Sequence, residues 1–320
     1  MYQMIRLIQN ENMKIYKRVG TWIMIGVIIL IVLIGGMVSK FLLSQDTSDN
    51  WQQQLQLENA QLAEQISEFE NMPMVGSNAT RPLREQVVIN EYRLENNIPP
   101  VESETVWGFM ISSPDFTAIA SVFVIVIAAG IVATEFSTGT IKLLLIRPVK
   151  RYKILLSKYI ATFLFALLML VTILVSSFVV GGLLFGFSGM DFPYLVYQGG
   201  EVMERNMLLH IFTLYGFNSA DMIMMVTFAF MISTVFRSSS LAIGLSLFLL
   251  FTGQQLVMLL SQYDWVKYIL FANTNLNQYI SGVPIVEGMT MAFSLTVLLV
   301  YFVCFHAISW VIFHKRDVTA

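Results

Sequence analysis

Residues 133–160, ATEFSTGTIKLLLIRPVKRYKILLSKYI, join two apolar segments that are each long enough to cross a membrane. This connection holds the densest group of basic residues in the chain and a single acid, Glu135. Positive charge concentrated in one short connection of an apolar chain predicts a membrane protein whose loops are sorted by charge. The basic residues of the stretch are Lys142, Arg147, Lys150, Arg151, Lys153 and Lys158.

The composition of the whole chain is that of an integral membrane protein. Of its 320 residues, 56% are hydrophobic and 12% are charged, whereas a soluble domain averages about 25% charged residues. The mean hydropathy is +0.68. The single cysteine, Cys304, excludes an intramolecular disulfide, so cysteine usage says nothing about the redox compartment.

Six apolar runs predict six transmembrane helices, because a helix needs about 20 residues to cross the hydrocarbon core. The third run is too long for a simple crossing, so its amphipathic start, KILLSKYIATF, is expected to protrude into the cytosol. Residues 1–19 are predicted to form an interfacial helix, because the long basic leader and the missing cleavage site argue against a removed signal peptide. The predicted spans are 20–43, 115–134, 154–187, 208–236, 239–262 and 289–313.

The distribution of basic residues predicts the orientation of these spans. One set of connections is rich in Lys and Arg and poor in acids, which is typical of the cytoplasmic side. It comprises the N-terminus, the loop at 135–153 and the tail at 314–320. Both termini are therefore expected in the cytoplasm, and an even number of spans requires that they lie on the same side. The chain is predicted to be an all-α protein of the plasma membrane. The transmembrane domain after the first span is predicted over 114–313.

The opposite side is predicted to carry an insertion at 44–113 and an interfacial segment at 263–287. Within the insertion, Leu55, Leu62 and Phe69 recur every seven residues, which predicts an amphipathic helix over about 50–70. A second helix over 83–96 is expected to stop before Pro99–Pro100. The two helices form an external hairpin, either as a folded spacer or as a module that senses a substrate or partner.

Motifs for nucleotide or metal chemistry are absent from the sequence. There is no GxxxxGK[ST] phosphate loop and no HExxH, and the three histidines are widely spaced. An enzyme is therefore disfavoured. Asp221 is the one clear acid within a span, and an intramembrane acid is a functional candidate. Two interpretations of Asp221 are open. In the first, Asn218 caps the start of a helix and Asp221 is the acid in its first turn. In the second, Asp221 lies on a transport path, as in an ion-coupled carrier.

The loop at 135–153 needs more than membrane anchoring to explain it. Lipid headgroups account for its charge, but not for the short apolar segment TIKLLLI between Gly139 and Pro148. An amphipathic element of this kind favours docking into a groove on another protein.

The same stretch, EFSTGTIKLLLIRPVKRYKILLSKYI, resembles the cytoplasmic loop of type-2 ABC transporter permeases. That pattern has an acid, a GT pair, paired leucines, a basic-Pro-Val turn, a basic run and a lysine. The segments FAFMISTVFRSSSLAIGLS and WVKYILFANTNLNQY add to the resemblance, which covers most of 110–313. The matching residues are Glu135, Gly139, Thr140, Leu143, Leu144, Arg147, Pro148, Val149, Arg151 and Lys158.

The resemblance implies an exporter permease whose loop is the coupling helix. Two permeases, identical or different, would pair in the lipid membrane, each docked on a separate subunit that binds ATP and Mg²⁺. This chain would need no cofactor and no nucleic acid. The cargo would be a drug, an antimicrobial peptide or a lipid-like molecule. A membrane sensor acting through the hairpin is the alternative. The candidate coupling residues are Glu135, Gly139, Thr140, Lys142, Leu143, Leu144, Ile146, Arg147, Pro148 and Arg151.

Overall fold

The computed structural model describes residues 2–42, 50–71, 80–101, 104–140, 149–187, 192–198, 200–280 and 284–315. Three short 3-10 helices, Ser113–Phe116, Asp264–Tyr268 and Leu276–Tyr279, join longer elements. The α-helices are α1 Tyr2–Tyr16, α2 Val19–Leu42, α3 Trp51–Glu70, α4 Arg81–Asn96, α5 Val106–Ser112, α6 Thr117–Ser137, α7 Arg151–Phe185, α8 Met207–Phe236, α9 Ser239–Leu260, α10 Leu270–Thr274 and α11 Met291–Lys315. Two strands, β1 Tyr194–Gln198 and β2 Glu201–Arg205, lie between α7 and α8.

Six apolar helical segments are long enough to cross a membrane, which confirms a multi-pass α-helical membrane protein. They are α2, the run Val106–Ser137 formed by α5, a 3-10 turn and α6, and then α7, α8, α9 and α11. The second segment begins earlier than the predicted residue 115. Its start is fixed by Thr105, whose hydroxyl accepts a hydrogen bond from the Gly108 amide (3.1 Å).

The centre of the bundle is the pair α6 and α8. In the apolar stretch of each span, 56% of the residues of the segment that contains α6 and 61% of those of α8 are buried. The corresponding shares are 11% for α11 and 17% for α9. Small residues such as Ala129 allow the two helices to approach closely. The Ser233 hydroxyl donates to the Ala129 carbonyl (2.6 Å) and accepts from the Ala133 amide (3.0 Å). The Ser233 side chain therefore links α8 to the backbone of α6 at two alanines, whose small side chains leave their backbone groups accessible.

The bundle has two distinct ends. At the end called here the loop end, α1 packs on α7, and the Arg151 guanidinium donates to the His314 carbonyl (3.1 Å). At the other end, called here the hairpin end, the Lys40 ammonium donates to the Leu184 carbonyl, joining the last turns of α2 and α7. The helices α3 and α4 lie beyond this second end, because they follow α2 directly.

The predicted helices at 50–70 and 83–96 are confirmed as α3 and α4, which pack on each other. The Asn90 amide donates to the Asn59 carbonyl oxygen (2.9 Å) across the pair. α4 ends at Asn97, whose φ of 54° is left-handed, ahead of the two prolines.

The antiparallel hairpin β1–β2 was not predicted from the sequence. Its register pairs Tyr194 with Arg205 and Gln198 with Glu201. α4 packs against it, and the Tyr92 hydroxyl donates to the Glu204 carboxylate (3.2 Å). The hairpin end therefore carries a small α/β layer instead of helices alone.

Several predicted positions lie outside the described residues. They include the apolar core of the loop, residues 141–148, and thus six of the candidate coupling residues: Lys142, Leu143, Leu144, Ile146, Arg147 and Pro148. Of the predicted tail, only His314 and Lys315 are described, and both belong to α11.

Candidate functional site

The base of the loop is held by a cluster of two acids and two lysines, called here the ion ring: Glu11, Lys14, Glu135 and Lys158. Glu11 and Lys14 are three residues apart on α1 and therefore lie on one side of that helix. Glu135 is in the last turn of α6, and Lys158 is in the third turn of α7. The ring joins residues that are up to 147 positions apart in sequence.

Lys158 is the centre of the ring and is only 1% exposed. Its ammonium donates to Glu11 Oε2 (2.8 Å), to Glu135 Oε1 (2.9 Å) and to the Ile131 carbonyl (3.1 Å). An ammonium has three N–H donors, so all three are satisfied. This matters because an unpaired charge inside a protein is strongly unfavourable.

Lys14 closes the ring from the more exposed side. Its ammonium lies 2.8 Å from Glu11 Oε1 and 2.8 Å from Glu135 Oε1. Partial burial acts to lower the pKa of Lys14, but the hydrogen bonds and charges of the two carboxylates outweigh it, so the pKa is raised above 10.5. Two acids and two lysines give the ring a net charge of zero.

The ring also fixes the first residues of the loop. The second oxygen of Glu135 accepts from the Thr140 hydroxyl (2.7 Å). Between them, Gly139 adopts a φ of +71°, a left-handed conformation that ends α6 and favours glycine. Gly139 therefore makes the turn that the sequence predicts for it.

Glu135, one of the candidate coupling residues, is largely buried. It is 9% exposed, and both of its oxygens are bonded within the chain. Arg151 is the last described coupling candidate, and it binds the end of α11. A small cavity of about 160 Å³ lies beside the ring, lined by Arg18, Thr138 and Thr140 among others.

The ring links three helices at the loop end. Charges that are paired in a poorly solvated site separate only at a large energetic cost, so the four side chains join α1, α6 and α7 to one another.

The predicted transport-path residues lie elsewhere, toward the hairpin end. α8 runs unbroken through Asn218 and Asp221, and its cap is Asn206, whose side chain accepts from the Leu209 amide (3.2 Å). The prediction that Asn218 caps a helix is wrong, because its side-chain amide donates back to the Leu214 carbonyl (3.0 Å). Asn218 and Asp221 line a cavity of about 490 Å³.

Comparison with known proteins places the chain in a family. The family described as "Protein of unknown function (DUF2705)" matches residues 78–319. The chain belongs to this family. It is 42% identical over 318 residues to the "Uncharacterized protein YhcI" of Bacillus subtilis (strain 168), covering 98% of this chain and 99% of that protein. It is 35% identical over 216 residues to the "Uncharacterized membrane protein YdbK" of the same organism, covering 66% of this chain and 82% of that protein.

Sequence reasoning on this DUF2705 protein missed the roles of Glu11, Lys14 and Lys158. A signal for two of them is present. On α1, Glu11 shares a buried stripe with Ile15, which lies four residues further on. On α7, Lys158 lies on the buried stripe that begins at Ile154 and Leu155. A charge at a core position of a helix indicates that it needs a buried partner, but the pattern does not say which residue that partner is.

Proposed function

We propose that this protein is the transmembrane permease subunit of an ATP-driven exporter. Two permeases pair in the bacterial plasma membrane, and each docks through its loop at 135–153 on a separate ATP-binding subunit. The observation that carries the proposal is the ion ring, which fastens the base of this loop to two membrane spans and to α1.

The sequence of the loop supplies the docking element. Its apolar residues between Gly139 and Pro148 suit the groove of a partner protein, and the stretch resembles the coupling segment of type-2 ABC permeases. Closure of the ATP-binding subunits would move the loop, and Glu135 and Lys158 would pass this movement to α6 and α7. ATP hydrolysis then belongs to the partner, in keeping with a chain that has no phosphate loop.

The charge distribution supports an orientation with the loop end in the cytoplasm. α1, the described ends of the loop and the end of α11 lie at this end of the bundle. In the sequence, the N-terminal segment, the loop and the tail hold most of the Lys and Arg of the chain. The positive-inside tendency of membrane proteins favours a cytoplasmic location for such segments. The α3–α4 hairpin and the β-hairpin then face the outside of the cell.

The test separates docking from charge. Leu144→Asp places a charge at a proposed apolar anchor, whereas Lys150→Gln removes one exposed charge nearby. Loss of a buried leucine contact and desolvation of the aspartate together cost about 3 kcal/mol or more, which is over a hundredfold in affinity. A single charge at the headgroups is worth about 1 kcal/mol.

Each variant is co-expressed with the ATP-binding proteins of its host, purified, and assayed for a bound ATP-binding subunit and for ATP hydrolysis. We expect Leu144→Asp to lose both and Lys150→Gln to keep both, at equal membrane insertion. The opposite pattern would remove the loop from consideration as the docking element. Transport that needs no ATP-binding subunit would favour an ion-coupled carrier instead.

A further inference from the structure

A polar cavity opens among the spans toward the hairpin end, and it is separate from the ion ring. Its volume is about 490 Å³, within the range of sites for drug-sized ligands. Its walls come from the start of α6, from α8 and α9, and from α10 with the residues that follow it. Two carboxylates face it, Asp115 and Asp221.

The charge of this cavity is unbalanced. Its lining has no Lys, Arg or His. Within the part of the chain that the structure describes, Asp115 and Asp221 take part in no ion pair. An acid within a membrane span is expected to have a partner. Among the described residues, no cation is paired with either of these carboxylates.

A second observation points to a missing ligand. Thr274 is fully buried, and its hydroxyl lies beside the Asp221 carboxylate yet makes no hydrogen bond of good geometry among the described residues. The side-chain oxygen of Asn277, which also lines the cavity, is buried and has no donor within the described structure. Buried polar atoms are normally satisfied, so these oxygens favour a guest that is positive or donates hydrogen bonds.

Three aromatic side chains also belong to the walls of the cavity. Phe217, Phe251 and Phe271 line the same cavity. The face of an aromatic ring attracts a cation, and three rings also accommodate an apolar body. A bare metal ion would fill little of this volume, and no group of metal-ligating side chains occurs among the described residues.

Phe217 also gives the cavity a direction. It lines a second cavity of about 630 Å³, which lies between the bundle and the α3–α4 and β1–β2 layer. Arg81, Arg84 and Arg205 line that second space.

We propose that the cavity of Asp115 and Asp221 binds an organic cation with an apolar, ring-bearing body, and that this is the cargo site of the exporter. The proposal rests on the export function proposed above and names the class of its substrate. Asp221 and Asp115 supply the charge, and the phenylalanine rings hold the apolar body.

The test uses two probes of nearly the same shape and opposite charge, tetraphenylphosphonium and tetraphenylborate. Equilibrium binding of each is measured on the purified full chain in lipid nanodiscs, with empty nanodiscs subtracted. We expect saturable binding of the cation and none of the anion. Asp221→Asn should weaken cation binding at least tenfold and Asp115→Asn severalfold. The matched control Asp264→Asn, at an exposed acid outside the cavity, should leave it unchanged.

Equal cation binding by the wild type and both cavity variants would overturn the proposal, as would saturable binding of the anion that the same variants weaken. If Asp221→Asn does not fold, the exposed Asp115 carries the comparison with Asp264. No ATP-binding subunit takes part in this measurement. Failure of cation binding therefore refutes the cargo site, whereas failure of the Leu144→Asp test refutes the exporter.

Discussion

Lys158→Met is the most informative single change in this protein. Methionine has nearly the shape of lysine without its charge, so packing is retained and only the ammonium is lost. Lys158 is 1% exposed and holds Glu11 and Glu135 at 2.8 and 2.9 Å. After the change, two buried carboxylates share one remaining cation, Lys14, and the ring carries a net charge of −1.

The magnitude follows from the geometry. Removing one partner of a buried ion pair typically costs about 3–5 kcal/mol. We expect the lower end, about 3 kcal/mol, because Lys14 still contacts both carboxylates. In the double variant Lys158→Met with Glu11→Gln, one carboxylate charge is removed as well. The two changes should then cost less together than the sum of their separate costs, by about 1–3 kcal/mol.

The assay is equilibrium unfolding in mixed micelles with increasing dodecyl sulfate, followed by circular dichroism. Lys153→Met is the matched control, because it removes a lysine from the same end of α7 and Lys153 has no ion pair among the residues described. The control should cost less than about 1 kcal/mol. Equal stability of Lys158→Met and Lys153→Met, or strict additivity in the double variant, would refute the ion ring as a coupled unit.

Three further predictions test the ring, the bundle and the orientation. The pKa of Lys14 is raised in the folded state by the carboxylates of Glu11 and Glu135. Its stabilising effect should therefore be constant from neutral pH up to the unfolded-state pKa of lysine and disappear as the pH rises through the raised value; unfolding of wild type and Lys14→Met across this pH range measures the effect. Ser233→Ala removes the link to α6 at Ala129 and should cost about 0.6–1.7 kcal/mol in the same unfolding assay, with no change if the link is unimportant. In a cysteine-free background, Ser67→Cys and Thr138→Cys should react with impermeant reagents from opposite sides of intact cells, and labelling of both from outside would contradict the proposed topology.

The spans and the α3–α4 hairpin could be predicted because their signals are local. The length of an apolar run identifies a span. The seven-residue spacing of Leu55 and Leu62 indicates α3, and the proline pair that follows α4 marks where that helix ends. The β-hairpin was missed although Gly199–Gly200 separates two short strands, which is a recognised hairpin signal. The strands are only five residues long each, which is too short for a clear strand pattern, so this stretch was interpreted as a loop.

The ion ring could not be predicted, because it depends on how α1 folds back across the bundle. Glu11 and Lys158 are 147 positions apart, and Lys14 and Glu135 are 121 apart. No local pattern specifies such a pairing. The error at Asn218 has a related cause, since an asparagine within a helix can bond the carbonyl four residues earlier as well as it can cap a new helix.

In the proposed exporter, the two sites divide one task between the ends of the bundle. At the loop end, charge is fully compensated: every lysine of the ring has a carboxylate partner, which makes a rigid joint. At the hairpin end, the lining of the cavity of Asp115 and Asp221 contains no Lys, Arg or His, and this is the proposed cargo site. α6 belongs to both, because it begins two residues after Asp115 and carries Glu135 in its last turn. In the proposed mechanism, a movement that the ATP-binding partner imposes on the ion ring would be carried along this helix to the wall of the cavity and would change the affinity for cargo.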